Sequence, residues 1–388
     1  MSQKFYRRDR PGQAARWRTS HNGLALAPKA WRFTSFLQIG NHLRWGARLF
    51  SGEMRRQTIA KVAPGAAVDP LLASLAMPWK AEFYPHGFPV SIASNSPAVL
   101  AAADKSWGGA QKRFDERPLE VRCLVSHGSS RRCPLPPVVR AQSNLLTGVA
   151  GRENFQCCDL EKGFAFAWVT EAVVKNTEFF RYHFLEAMAW CLLDTRHLVS
   201  VHAACVALDG RGVLLAGDSG AGKSSLSYAC ARRGWTYTSD DGTSLVRRDS
   251  GRTALGNPRV FRFRGTAGEL FPEFSGLRER RRGNGKPTIE VSTAMLPAIR
   301  TAAEAHVDFI MFLNRRDAAE RRVELRPVSK LEAVNLLWAG VWPPELKSLQ
   351  EERAAVERLL DAELFELRYR ELDAAVDALE SVVRRKSL

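Results

Sequence analysis

The sequence predicts an α/β protein built around a phosphate-binding strand–loop–helix unit, preceded by a small α+β domain and a basic N-terminal extension. Three observations carry this. The segment Gly217-Asp-Ser-Gly-Ala-Gly-Lys-Ser224 lies between an apolar strand pattern and an amphipathic helix pattern. From Leu198 onward strand and helix patterns alternate, whereas residues 79–197 read as a compact mixture of the two. Before that, residues 1–78 show little sustained periodicity and carry scattered arginines. The expected boundaries are therefore 1–78, 79–197 and 198–388.

In the extension, Pro11-Gly12, Asn22-Gly23, Gly40-Asn41 and Pro64-Gly65 mark breaks. Trp31 to Phe50 could form a basic amphipathic helix for a membrane surface or a partner; the alternative is a poorly ordered leader, or an extension upstream of a start at Met54 or Met77. In the α+β domain, Phe88–Ile92 and Leu119–Val125 read as strands. Pro97–Trp107 reads as a helix capped by Asn95 or Ser96, and His127 to Pro137 as a loop. Phe155–Asp159 and Phe164–Val169 suit a hairpin around Lys162-Gly163. Thr177–Leu193 reads as a long helix with apolar residues at 180, 184, 185, 188 and 192.

In the last part, Leu198–His202, Cys205–Leu208 and Gly212–Ala216 read as strands, with a turn at Asp209-Gly210. A helix over Lys223–Arg233 should end at Gly234, and Trp235–Thr238 is a strand running into Ser239-Asp240-Asp241-Gly242. Further strands are expected at Lys286–Val291 and Val307–Leu313, and helices at Lys330–Leu337 and Glu351–Leu360. The end reads as a strand, Leu364–Arg368, then a helix, Glu371–Val383.

Bulk properties exclude several classes. Hydrophobic content of 45% and charged content of 25% are ordinary for a globular chain, and no apolar run approaches a membrane span. No secretory pattern opens the sequence. The seven cysteines are odd in number and contain no CxxC pair, which fits neither a disulfide framework nor a zinc set and suggests reduced thiols in a cytoplasmic protein. The net charge of +16 invites a nucleic-acid reading. Its distribution argues against one: residues 1–80 hold 14 Lys/Arg against three acids, a net of +11, and the rest 43 against 38, a net of +5.

Gly217, Gly222, Lys223 and Ser224 satisfy GxxxxGK[ST]. Glycines let successive backbone N–H groups of Gly217, Asp218, Ser219, Gly220, Ala221, Gly222, Lys223, Ser224 and Ser225 converge on anionic oxygens, and the following helix adds its positive end. Lys223 is placed to meet β- and γ-phosphates, and Ser224 to offer a hydroxyl to Mg²⁺. Asp240 and Asp241 follow a strand, where ligands sit in open α/β sheets. One carboxylate could hold Mg²⁺ and the other could accept a proton from an attacking hydroxyl. The alternative is a solvated acidic turn. Arg278 to Lys286 makes a basic loop, either closing on phosphates or simply solvated; Lys286-Pro-Thr288 could touch the γ-phosphate.

Val201-His202-Ala-Ala-Cys-Val206, Gly217 to Ser225, Arg233-Gly234 and Ser239-Asp240-Asp241 together resemble the C-terminal domain of HPr kinase/phosphorylase and HPr-kinase-like proteins. The spacings also agree: fifteen residues from His202 to Gly217 and seventeen from Lys223 to Asp240. The close resemblance covers about 50 residues, and the strand–helix ending extends it loosely over 198–388. It implies a fold related to the phosphoenolpyruvate carboxykinase nucleotide domain, Mg²⁺-ATP and a serine acceptor. By position it puts His202 near the reacting phosphate, Asp240 near the metal and Asp241 as base; otherwise His202 is a core histidine at a strand end. The family's Arg-Gly-Leu-Gly signature has no clear counterpart. Gly256-Asn-Pro-Arg259 and Phe263-Arg264-Gly265 stand there instead, resembling the Pro-Arg element of shorter HPr-kinase-like proteins, which speaks against phosphorolysis and against HPr as substrate.

The expectation is thus a P-loop kinase that moves the γ-phosphoryl of ATP to a hydroxyl, a serine of a protein or peptide, with catalytic Asp241, Asp240, His202 and Lys223 and metal ligands Ser224 and Asp240. A small-molecule kinase, or an ATP-binding regulatory or assembly module with little transfer, stays open, as does a homo-oligomer.

Overall fold

The computed structural model describes residues 75–281, 285–315, 323–338 and 349–385. The possible helix at Trp31–Phe50 lies outside them, as does part of the basic loop. The protein is a mixed α/β structure with several sheets.

The first sheet contains β1 (Trp79–Phe83), β2 (Val90–Ser94), β3 (Leu119–Ser126), β4 (Val138–Gln142), β5 (Leu145–Ala150), β6 (Asn154–Asp159) and β7 (Phe164–Thr170). Its order is β1-β2-β3-β7-β6-β5-β4. The expected hairpin is β6–β7, antiparallel with Phe155 opposite Trp168. The strand expected from Phe88 begins at Val90, and β1, β4 and β5 are additions. α1 (Pro97–Trp107) has its expected span, but neither proposed cap bonds its N-terminus. The Asn95 side chain donates instead to Val125 O, and the Ser96 N–H donates to Ser94 Oγ.

After β7 come α2 (Glu171–Lys175), α3 (Thr177–Phe180) and α4 (Glu186–Arg196), the last two joined by a π-turn, Arg181–Leu185. The expected long helix therefore has a wider turn in its middle. Phe180, Phe184, Leu185 and Met188 are all buried against the sheet, on the one face that the 3.6-residue period expects.

The second sheet carries the glycine-rich loop Gly217–Ser224. Its strands are β8 (Leu198–Val201), β9 (Ala203–Leu208), β10 (Arg211–Ala216), β11 (Thr236–Ser239), β12 (Thr243–Val246) and β13 (Thr253–Leu255). A separate small sheet consists of β14 (Val260–Phe263), β15 (Arg280–Arg281) and β16 (Pro287–Ser292). The large sheet resumes with β17 (Arg300–Thr301), β18 (Glu304–Asn314), β19 (Glu324–Pro327) and β20 (Glu363–Arg368). Central β10 runs antiparallel to β9 and parallel to β18, which in turn runs parallel to β20. The β9–β10 hairpin closes through Asp209 and Gly210, both at positive φ (51° and 81°), the geometry that Asp-Gly favours.

The remaining helices are α5 (Lys223–Arg232), α6 (Ala267–Leu270), α7 (Lys330–Trp338), α8 (Leu349–Leu359) and α9 (Leu372–Val383). Alternation along β10 explains the layering: Val213 and Leu215 pack with α5 and α9, while Leu214 and Ala216 pack with α7 and α8. A strand covered on both faces reads as an unbroken apolar run, which is what Val213 to Ala216 is. The two large sheets meet through α4 and β8, with Leu198 and Leu255 buried in the core of the first sheet. Arg113 and Glu304 form an ion pair across the same junction.

Candidate functional site

The loop between β10 and α5 stands at the carboxyl end of a central strand. Gly217, Gly220 and Gly222 take φ of 153°, 96° and 99°, so the backbone folds into a concave turn that L side chains rarely allow. Tyr369, at the end of β20, lies fully buried beneath it and donates its hydroxyl to Ala221 O (3.2 Å). Lys223 opens α5 and is only 5% exposed. Its ammonium donates to Gly217 O (2.8 Å) and Asp218 O (3.2 Å), folding back over its own loop.

Two further groups converge on this ammonium. His202 Nε2 lies 3.0 Å from Lys223 Nζ, and His202 Nδ1 lies 3.3 Å from Asp241 Oδ1. Asp241 Oδ1 is itself 3.8 Å from Lys223 Nζ. An ammonium can only donate, so Nε2 accepts and the ring proton sits on Nδ1, directed at Asp241. Burial lowers the pKa of His202 from its ordinary value; Lys223 and Lys286 push the same way and Asp241 opposes them. Burial also lowers the pKa of Lys223, again opposed by Asp241. The imidazole is therefore a neutral link between a cation and a carboxylate.

The adjacent aspartates have different surroundings. The side chain of Asp241 is 42% exposed, whereas that of Asp240 is 3% exposed. Asp240 Oδ2 accepts the Arg262 backbone N–H at 2.6 Å, and Oδ1 lies 3.7 Å from the Arg262 guanidinium. Both line one cavity of about 1040 Å³, together with Ser224, Ser225 and His202.

Sequence reasoning assigned no role to Arg262 or Tyr369. For Arg262 the signal was present: Val260-Phe-Arg-Phe263 alternates, which singles out position 262 as the polar face of β14. Arg264, noted in the sequence only as part of Phe263-Arg264-Gly265 in the region of the Pro-Arg element, donates to Ser219 Oγ at 2.9 Å and so reaches over the loop. Lys286 and Arg315 also line the cavity, giving its loop end a positive surplus suited to phosphates. The donor set, a hydroxyl from Ser224 and a carboxylate from Asp240, consists of hard oxygens of the kind Mg²⁺ takes alongside phosphate oxygens. Among the described residues no group of three or more His, Cys, Asp or Glu gathers as a metal site. Among them, too, no helix is long and apolar enough to cross a membrane.

No family model and no curated protein matches the chain. Among solved structures it is similar to the Hpr(Ser) kinase/phosphatase from Coxiella burnetii, at 15% identity and a TM-score of 0.25, over 48% of this chain and 93% of that one.

Proposed function

We propose that the chain is a Mg²⁺-ATP-dependent kinase of the P-loop type that transfers the γ-phosphoryl group to a hydroxyl, a serine of a protein or peptide. The observation that carries this is the array Lys223–His202–Asp241: the phosphate-loop lysine and a half-open carboxylate share one histidine and lie 3.8 Å apart in one cavity.

In this reading the glycine loop and the α5 N-terminus take the β- and γ-phosphates, and Lys223 exchanges its loop carbonyls for phosphate oxygens. Ser224 and Asp240 would hold Mg²⁺, which neutralises phosphate charge when bound. Asp241 accepts the proton of the acceptor hydroxyl as its oxygen bonds to the γ-phosphorus and the bond to the ADP oxygen breaks. The Nδ1–H of His202 orients Asp241 for that task. Arg264 and Lys286 add positive charge where the equatorial oxygens spread theirs.

The test is transfer of label from γ-labelled ATP to acceptors in a cell lysate, with Asp241→Ala and Lys223→Ala as controls. Labelled acceptor that both variants lose supports the reading. If Lys223→Ala abolished the biological effect and Asp241→Ala preserved it, the chain would be a nucleotide-dependent regulatory module instead.

A further inference from the structure

The strand that leads into the candidate site has one side without a neighbouring strand. β8 is the last strand of its sheet and pairs with β12, Val201 opposite Thr243 and Leu198 opposite Val246. One residue further in the same register, the Arg247 N–H donates to His197 O (2.8 Å). Bonded and non-bonded residue pairs alternate along an antiparallel ladder. His197, Val199 and Val201 therefore turn their backbone groups toward β12, and Leu198 and Ser200 turn theirs away from it. On that outer side Leu198 O accepts from the Arg247 guanidinium (3.0 Å). Ser200 is exposed, and among the described residues no backbone group bonds its N–H or C=O. Its hydroxyl is engaged, donating to Asp194 Oδ1 (2.9 Å).

Further along the chain the same side is filled. β8 runs on through His202 into β9, where Leu208 and Arg211 close the two-residue hairpin and so exchange hydrogen bonds. By the same alternation Leu208, Val206 and Ala204 face β10. Ala203 faces the other way, its carbonyl accepting from Thr243 Oγ1 (2.8 Å). The even-numbered residues thus share one side from Leu198 to Leu208. β10 occupies that side as far as Ala216, opposite Ala203, and the chain then leaves it as the glycine loop. What remains is a vacant sheet position in line with β10, beyond its carboxyl end. It opens into the cavity that holds Asp241 and Lys223, which Leu198, Val199, Ser200, Val201 and His202 line along the whole of β8.

An exposed strand edge is a template for another chain, and natural proteins ordinarily blunt or cover it. Here it is turned into the candidate site. Pairing on such an edge takes main-chain hydrogen bonds from an extended segment of any sequence, with side chains reading the rest. Ser200 and His202 are two residues apart, so on a strand their side chains share a face, the one on which His202 meets Asp241.

We propose that the acceptor enters this position as an extended peptide segment antiparallel to β8, as β10 is to β9. Ser200 exchanges both backbone hydrogen bonds with the residue two places after the acceptor serine, and the serine lies opposite His202. Directly opposed residues hold their Cβ atoms about 5 Å apart, so its hydroxyl is presented beside Asp241. The proposal rests on the phosphotransfer reading and narrows the acceptor to an unfolded stretch of protein or peptide.

The test uses the full chain without nucleotide and a labelled peptide, Thr-Val-Ser-Val-Thr-Val, methylated at one backbone nitrogen at a time. Binding is followed by fluorescence anisotropy. Methylation two residues after the serine removes the N–H that meets Ser200 O and should weaken binding about tenfold or more. Methylation one or three residues after it, where the N–H points away from β8, should stay within about threefold of the unmodified peptide. Bound peptide should also slow deuterium uptake in the segment containing Ser200. No binding of the unmodified peptide, equal losses at every position, or the largest loss one residue before the serine, as parallel pairing gives, would overturn the proposal. Unchanged exchange at Ser200 would do the same. Adding Mg²⁺ and γ-labelled ATP reads phosphotransfer separately. Alternating losses with no labelled serine leave the strand site and sink the transfer reading; labelled serine without alternation does the reverse.

Discussion

The three phosphate-loop glycines should respond differently to the same substitution, because their surroundings differ. An added Cβ at Gly220 finds its nearest neighbour, Arg264 Nη1, at 3.6 Å, so Gly220→Ala meets only the backbone penalty of φ 96°, about 1–2 kcal/mol. At Gly222, with φ 99°, the Cβ would lie 2.5 Å from the Tyr369 hydroxyl oxygen. Tyr369 is fully buried and that hydroxyl bonds Ala221 O, so the ring cannot swing aside freely. Overpacking there costs about 1–3 kcal/mol and loss of the hydrogen bond about 1 kcal/mol, so with the backbone term Gly222→Ala should destabilise by about 3–6 kcal/mol. Gly217→Ala should fall between, with contacts of 3.0 Å to Ala221 Cβ and 3.2 Å to Leu313 O. Urea denaturation gives the ranking as midpoint shifts at constant slope. Equal shifts for Gly220→Ala and Gly222→Ala would refute the account, since only the second meets Tyr369. Gly222→Ala,Tyr369→Phe, which removes the hydroxyl, should regain part of the loss.

Three further outcomes follow from the site. Lys223→Met should abolish detectable binding of an ATP analogue by titration calorimetry, because the ammonium is the buried cation at the heart of the loop; retained binding would move the phosphates elsewhere. Asp241→Asn should keep analogue binding within about threefold and slow transfer by about 10²–10⁴-fold in a single-turnover assay; unchanged transfer would remove Asp241 as base. Asp194→Asn should raise the melting temperature at pH 7.5 but scarcely at pH 4. Because burial lifts the pKa of Asp194 to about 6 from 3.8, the folded state binds its proton more tightly; stability falls as pH rises through that window and stays lower above it, by at most about 3 kcal/mol. A shift independent of pH would show that burial of the Asp194 charge is not what costs stability.

What was legible in the sequence was local. The strand–loop–helix around Gly217–Ser224, the Asp209-Gly210 turn and the strand–helix ending each depend on residues adjacent in the chain, and their positions could be read from spacing alone. The additions are elements set from a distance. β4 is an edge strand whose side chains are mostly exposed, so Val138–Gln142 carries no alternation to detect. β13 and β17 have three and two residues and exist because β18 and β11 supply their pairing. Ahead of α1 the Ser96 N–H donates to Ser94 Oγ, which itself donates to Cys123 O, so the entry to the helix is fixed by a contact 29 residues away and not by a local cap. Likewise the edge-on contact of His86 with Trp190 joins residues more than 100 positions apart in the chain, with no motif linking them.

The paired aspartates show how neighbours in sequence can acquire different chemistry. β11 ends at Ser239, and alternation past a strand end turns consecutive side chains to opposite sides. Asp240 meets the backbone N–H and guanidinium of Arg262 on β14, 22 residues later, while Asp241 meets His202 at the end of β8. A buried carboxylate held by a guanidinium and a backbone N–H keeps one orientation, which suits holding a cation. A half-open carboxylate beside a neutral imidazole can accept a proton and return it to solvent. In the proposed reaction the division of labour between the two aspartates would therefore follow from Arg262 and His202 rather than from the Asp-Asp sequence itself.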